Sequence, residues 1–276
     1  MGFPSPGGGF DSRIPLYNIC AHSSVGRCTI LLRWGSWDRT PVGALKDTRV
    51  LLFFMDDKSI FELVETCNPV VGCTYQGCRY CYAKKINDRF KLIPDWTNPV
   101  EKPQALKKIH AIKPKSFLMT SMSDLADWRP DYRDEVFNEM RKYPRHKYLF
   151  LTKRPQEIKG LDCRDMKNVW IGSTITMKSD LWRISSLKQT VKAHNYCLCI
   201  EPLLGDLGTI DLSGIDNIVI GAETGNSFGK VRPQASWVNS LIDQADQAGV
   251  PVWTKDSLAE IIGPENIRRD KVGFLQ

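Results

Sequence analysis

Short apolar runs alternate with amphipathic stretches along most of the chain. The runs are 116–120 (SFLMT), 147–152 (KYLFLT), 169–173 (VWIGS), 196–201 (YCLCIE), 217–221 (NIVIG) and 251–254 (PVWT), with a further strand expected near 63–66. They are apolar almost throughout rather than alternating, as strands buried on both faces of a parallel sheet are. Between them the helical period predicts helices over 134–142, 179–192 and 236–248, with Asn195 and Gly249 placed as stops after the last two. From the second run onward, strands start about every 20 to 35 residues, the spacing of βα units with right-handed crossovers. Seven or so such units predict an α/β fold, a complete or partial (β/α) TIM-like barrel. A doubly wound open sheet is the alternative, because strand order is not written in the strand pattern.

Residues 1–54 read differently. They open on a Gly/Pro/Ser stretch and hold neither helical period nor alternation. A capping box, Ser59 with Glu62, follows Met55. Met55 is therefore read as the natural start, with 1–54 an N-terminal extension outside the fold and 55–276 the barrel domain. A small N-terminal subdomain is the other reading.

The 276 residues, 42% hydrophobic and 25% charged, exclude a disordered or fibrous chain. No apolar run approaches the roughly 20 residues that span a bilayer. The opening residues also lack the apolar segment of a secretion signal. A cytoplasmic protein without a membrane partner is expected. The net charge of +7 permits a nucleic-acid partner without requiring one.

Both candidate architectures put function at the carboxyl ends of their strands. Polar and ionisable residues collect there: Ser121, Ser123 and Asp124 after the second run, Lys153 after the third, Ser173 and Thr174 at the fourth. Glu201 ends the fifth, Glu223 follows the sixth and Lys255 the seventh. Each alone could be a helix cap or a rim salt bridge. Together they point to one shared pocket.

Nine cysteines in a chain with no export signal are read first as metal ligands or nucleophiles. Four crowd into 15 residues: Cys67, Cys73, Cys78 and Cys81. The last three are spaced C-x4-C-x2-C in a loop containing Gly72 and Gly77, which lets three thiolates turn to one point. Three cysteines on a four-iron cluster leave one iron open, as a catalytic zinc keeps an open position. Zinc with Cys67 as a fourth ligand is a second reading, and buried unligated cysteine a third.

The string Asn68-Pro-Val-Val-Gly-Cys73, followed by Cys78-Arg-Tyr-Cys81-Tyr-Ala83, resembles the cluster loop of the radical SAM superfamily. Downstream, 117–124 (FLMTSMSD), 150–155 (FLTKRP), 169–175 (VWIGSTI), 200–205 (IEPLLG), 220–225 (IGAETG) and 249–255 (GVPVWTK) resemble one branch of it. That branch is the phage and prokaryotic three-Cys-motif proteins, radical-SAM-like barrels of unassigned chemistry. The resemblance covers about residues 60–260. The first cysteine gap differs from the commonest superfamily spacing, C-x3-C-x2-C, and Cys67 stands where the branch more often has an aromatic residue.

The resemblance implies that Cys73, Cys78 and Cys81 hold a [4Fe-4S] cluster and that Tyr80 packs near the adenine of S-adenosylmethionine. It implies an enzyme that cleaves this cofactor to a 5′-deoxyadenosyl radical, with an electron donor such as a flavodoxin or ferredoxin. Tyr80, Ser121, Ser123, Asp124, Ser173, Thr174, Glu201 and Glu223 are the candidate cofactor shell. Lys153 and Lys255 are the candidate catalytic groups. The substrate is unassigned. Two rivals stay open: a zinc- or cluster-stapled nucleic-acid-binding protein without catalysis, and a nucleic-acid repair or modification lyase, since the cysteine loop also resembles that of the spore photoproduct lyases.

Overall fold

The computed structural model describes residues 64–224 and 229–275. The expectations for residues 1–54 and the Ser59–Glu62 capping box fall outside them.

Seven strands form one sheet: β1 (Glu65–Thr66), β2 (Ser116–Leu118), β3 (Lys147–Thr152), β4 (Val169–Thr174), β5 (Asn195–Ile200), β6 (Asn217–Ile220) and β7 (Val252–Thr254). Every pairing is parallel, and spatial order follows chain order from β1 to β7. A sequential parallel sheet curls in one direction, which excludes the doubly wound alternative with its reversal of strand order. Among the described residues β1 and β7 do not pair, so the sheet is an open half-barrel rather than a closed ring.

The helices are α1 (Tyr82–Phe90), α2 (Pro130–Arg141), α3 (Trp182–Thr190), α4 (Ala235–Ala248) and the single turn α5 (Ala259–Ile262). Alternation along each strand separates two cores. On the convex side Phe117, Tyr148, Phe150 and Ile171 pack against Val136, Phe137 and Met140 of α2. Further round, Leu198, Ile200, Ile218 and Ile220 pack against Val238, Leu241 and Ala245 of α4. Phe150 is fully enclosed, its ring 4.9 Å from Phe137 and 5.6 Å from Trp128. Aromatic pairs of this kind contribute about 0.5–1.5 kcal/mol each beyond their buried area.

On the concave side Leu118, Leu149, Trp170, Cys197 and Val219 meet Val272 and Phe274 of the C-terminal segment. That segment plugs the amino end of the half-barrel. Phe274 meets the edge of Trp170 at 6.1 Å, and Lys147 donates to the Gly273 carbonyl at 2.8 Å.

Two expected helices differ in detail. Helix α2 starts four residues earlier than 134, because Pro130 supplies a preformed first turn. The stretch 179–192 does not run as one helix. A 3-10 turn (Lys178–Asp180) leads into α3, and the chain then extends as Val191–Ala193, pairing with Leu161–Cys163 outside the main sheet. Val191 is fully buried and β-branched, which favours the strand over another helical turn. Asn195 is accordingly no helix stop. It opens β5, donating to the carbonyls of Lys167 and Val169. Gly249 caps α4 in the left-handed conformation, as expected.

Candidate functional site: the cysteine loop over the carboxyl mouth

The loop leaves β1 and crosses the carboxyl ends of the strands under several restraints. Asn68 accepts from the Ser121 hydroxyl at 2.9 Å and the Met122 amide at 3.1 Å. Gly72 donates to the Met122 carbonyl, and Cys73 to that of Trp96. Gly72 sits at φ 114°, and a Cβ there would lie 2.8 Å from the Pro99 Cα, so only glycine fits where the loop turns.

Two clamps then bracket the first cysteine gap. Thr74 donates its amide and hydroxyl to Asp127 and accepts from Arg154, which pairs with Asp127 at 2.7 Å. At the other end Arg79 reaches the buried carboxylate of Glu223 at 3.1 Å and the Gly229 carbonyl at 3.2 Å. The loop is thus strapped from the β2 and β3 side to the end of β6. Cys81 closes it by capping α1, its sulfur accepting from the Lys84 amide at 3.4 Å.

The three loop cysteines are half-buried, and Cys78 and Cys81 belong to one tight turn, the Cys81 amide donating to the Cys78 carbonyl. Burial, with Asp127 and Asp124 nearby, pushes the Cys73 thiol up to about 12, and it points to the Tyr75 carbonyl. Burial also raises the Cys78 thiol, partly opposed by Lys153. Among the described residues no three His, Cys, Asp or Glu side chains stand close enough together to hold a metal ion. Cys67 is elsewhere. By alternation it faces the convex core, fully buried, with its thiol toward the Ala105 carbonyl and its pKa pushed up to about 12 by burial.

The concave face below the loop carries a polar ring. Alternation turns Lys153, Thr174, Cys199, Glu201 and Lys255 inward, and Ser173 outward, where its hydroxyl donates to the Thr152 carbonyl. Glu201 and Lys255 form a largely buried ion pair at 2.5 Å. It passes over Gly221, where a Cβ would press on both side chains at 3.1 Å. Tyr80 reaches Thr176 and lies under the Lys153 ammonium, 5.8 Å from the ring centre. Burial works against the Lys153 charge, but Tyr80, Cys78, Asp124 and Cys199 around it outweigh that and hold its pKa above the ordinary lysine value. Burial, then Glu201, pushes the Cys199 thiol up to about 12, so it is protonated at neutral pH. Between ring and plug lies an apolar cavity lined by Leu149, Leu151, Cys197, Cys199 and Phe274, with Glu201 at its lip.

The sequence candidates divide accordingly. Tyr80, Lys153, Thr174, Glu201, Lys255 and Glu223 surround the mouth. Ser121, Ser123 and Asp124 support it from outside. The Ser121 carbonyl accepts from the Tyr82 hydroxyl at 2.7 Å, and the Ser123 hydroxyl accepts from the Trp128 indole. Asp124 is fully engaged: it accepts from the Thr152 hydroxyl at 2.6 Å, the Lys153 amide at 2.8 Å and the Ala126 amide at 3.0 Å. Arg79, Asp127 and the inward Cys199 carry no role in the sequence pattern, and Arg154, which follows Lys153 at the end of the third run, serves the strap and not the pocket. Arg79 stood inside the quoted motif, but its partner lies 144 residues away.

Fold and loop define an α/β half-barrel with a three-cysteine loop strapped over its carboxyl mouth. The chain belongs to the family described as protein of unknown function DUF5131, which it matches over residues 58–261. No curated protein and no solved structure matches it. No helix among the described residues is long and apolar enough to cross a membrane.

Proposed function

We propose that this protein is a radical SAM-type enzyme on a partial TIM-like barrel. Cys73, Cys78 and Cys81 would hold a [4Fe-4S] cluster, and the open iron would take S-adenosylmethionine. The donor set fits: three thiols in one loop, with no histidine or carboxylate competing within it and a turn that already joins Cys78 to Cys81. Holding a cluster asks Cys73 to give up its contact with the Tyr75 carbonyl. When bound, the cluster and cofactor supply a carbon radical able to take hydrogen from an unactivated position.

The chain's own residues have distinct tasks. Tyr80 offers a ring and a hydroxyl at the mouth, suited to a purine face. Lys153, kept charged beside Tyr80, suits a carboxylate or phosphate. Glu201 and Lys255 keep two opposite charges under the loop, available to an ammonium and a carboxylate of a zwitterionic ligand. The plug below excludes water from the amino end.

The observation that carries the reading is the strap. Thr74 and Arg79 fix the loop from both sides of the sheet and hold it at the carboxyl ends of the strands, with Cys78 close to the Lys153 ammonium. A four-cysteine zinc site is the weaker reading, because Cys67 faces the opposite side of the sheet. Anaerobic reconstitution decides between them. Iron and sulfide near four per chain, with 5′-deoxyadenosine formed on dithionite reduction, are expected. One zinc per chain, with no cofactor binding by the iron-loaded protein, would overturn the proposal.

A further inference from the structure

The chain's charge is not spread evenly. The crossover from β1 to β2, residues 67–115, carries ten Lys and Arg against three Asp and Glu, a net +7 equal to that of the whole protein. The same crossover holds the cysteine loop and α1. Its exposed face also carries apolar rings that the core does not use. Phe90 is 61% exposed and Tyr82 43%, and Leu92 beside them is 47% exposed. Both rings are held: the Tyr82 hydroxyl donates to the Ser121 carbonyl, and the Arg89 guanidinium stacks on Phe90 at 5.0 Å. Lys85, Arg89 and Lys91 are exposed alongside them. The one acidic residue of α1, Asp88, pairs with Lys84 at 2.9 Å.

We infer that this crossover binds single-stranded nucleic acid and leads it to the mouth. Cations spaced along a backbone track, with aromatic rings between them, are what a flexible polyanion with stackable bases requires. An acidic globular partner would be met by a compact patch. Here the cations continue past α1 to Lys107 and Lys113 as the chain returns to the start of β2, at the opposite end of the sheet. A duplex hides its bases and leaves Tyr82 and Phe90 without a role. The inference rests on surface charge and exposure and not on the cluster, so it stands or falls independently of S-adenosylmethionine cleavage.

The test is fluorescence anisotropy of the full chain with labelled single strands of about 20 nucleotides, DNA and RNA, from about 50 to about 200 mM salt. Saturable binding that weakens steeply with salt is expected. Lys85→Gln/Arg89→Gln/Lys91→Gln should weaken it at least tenfold and make the logarithmic salt slope shallower by about 2. Phe90→Ala should weaken it about tenfold without changing the slope. Arg164→Gln/Lys167→Gln/Lys192→Gln, exposed cations away from the crossover, should leave it unchanged. Absence of binding at low salt, equal loss in that control, or equal affinity for a duplex or for polyglutamate would overturn the inference. Should the charge variant unfold, the Phe90→Ala result decides alone.

Discussion

Replacing Asp124 by alanine separates a structural brace from a cofactor ligand. The carboxylate serves three donors at once: the Thr152 hydroxyl, the Lys153 amide and, as the cap of a 3-10 turn, the Ala126 amide. Losing a cap costs about 1 kcal/mol. The Thr152 hydroxyl is buried and would lose its acceptor, and the Lys153 amide would lose its own, at about 1 kcal/mol each or more. The total is about 3 kcal/mol, which for a domain of this size lowers the melting midpoint by about 6–12 °C. Asp124→Asn keeps the shape but turns one acceptor into a donor, so about half that shift is expected. Differential scanning fluorimetry of the metal-free protein measures it. A shift below about 2 °C for Asp124→Ala would refute the brace. It would then return Asp124 to the cofactor shell, where its loss should show in S-adenosylmethionine binding instead.

Cys73→Ser, Cys78→Ser and Cys81→Ser should each abolish iron retention after anaerobic reconstitution, while Cys67→Ser keeps the wild-type iron content and loses about 1 kcal/mol of stability in urea. Gly72→Ala should cost at least about 2 kcal/mol, because positive φ and the Pro99 contact act together, and proteolysis should then cut within residues 73–81. Lys255→Met should destabilise by about 3–5 kcal/mol by leaving Glu201 uncompensated, and the double variant with Glu201→Gln should recover part of that in chemical denaturation. The buried thiols of Cys67 and Cys163, with pKa values pushed from 9.0 to about 12, stay protonated in the folded chain after the unfolded chain has ionised. Their contribution is therefore whole below pH 9 and lost as pH rises toward 12, and Cys67→Ala should flatten the stability profile in that window.

The strands were legible because a parallel sheet covered on both faces leaves apolar runs that no loop produces. Their order was not, since adjacency is a property of crossovers and not of runs. Helix α1 escaped notice because only Ala83 and Asn87 of its nine residues are buried, and its cap is a cysteine already read as a ligand. Ser173 and Thr174 are neighbours in sequence yet face opposite sides of β4, so Thr174 turns toward the concave face while Ser173 bonds the Thr152 carbonyl on the other side. Glu201 and Lys255 were each marked at a strand end. Their pairing needs β5 and β7 to flank β6 and Gly221 to leave room, a fact of three strands at once.

The two clamps on the cysteine loop also act as a ruler. Thr74 is pinned beside β2 and β3 and Arg79 at the end of β6, so the chain between them spans a fixed interval of the rim. The four-residue gap from Cys73 to Cys78 is then set by the width of the mouth as much as by anything the thiols hold. A chain with one residue more or fewer there would need its anchors moved to match, which ties cysteine spacing to the architecture of the rim. Grafting this motif onto another half-barrel would require carrying Asp127, Arg154 and Glu223 with it.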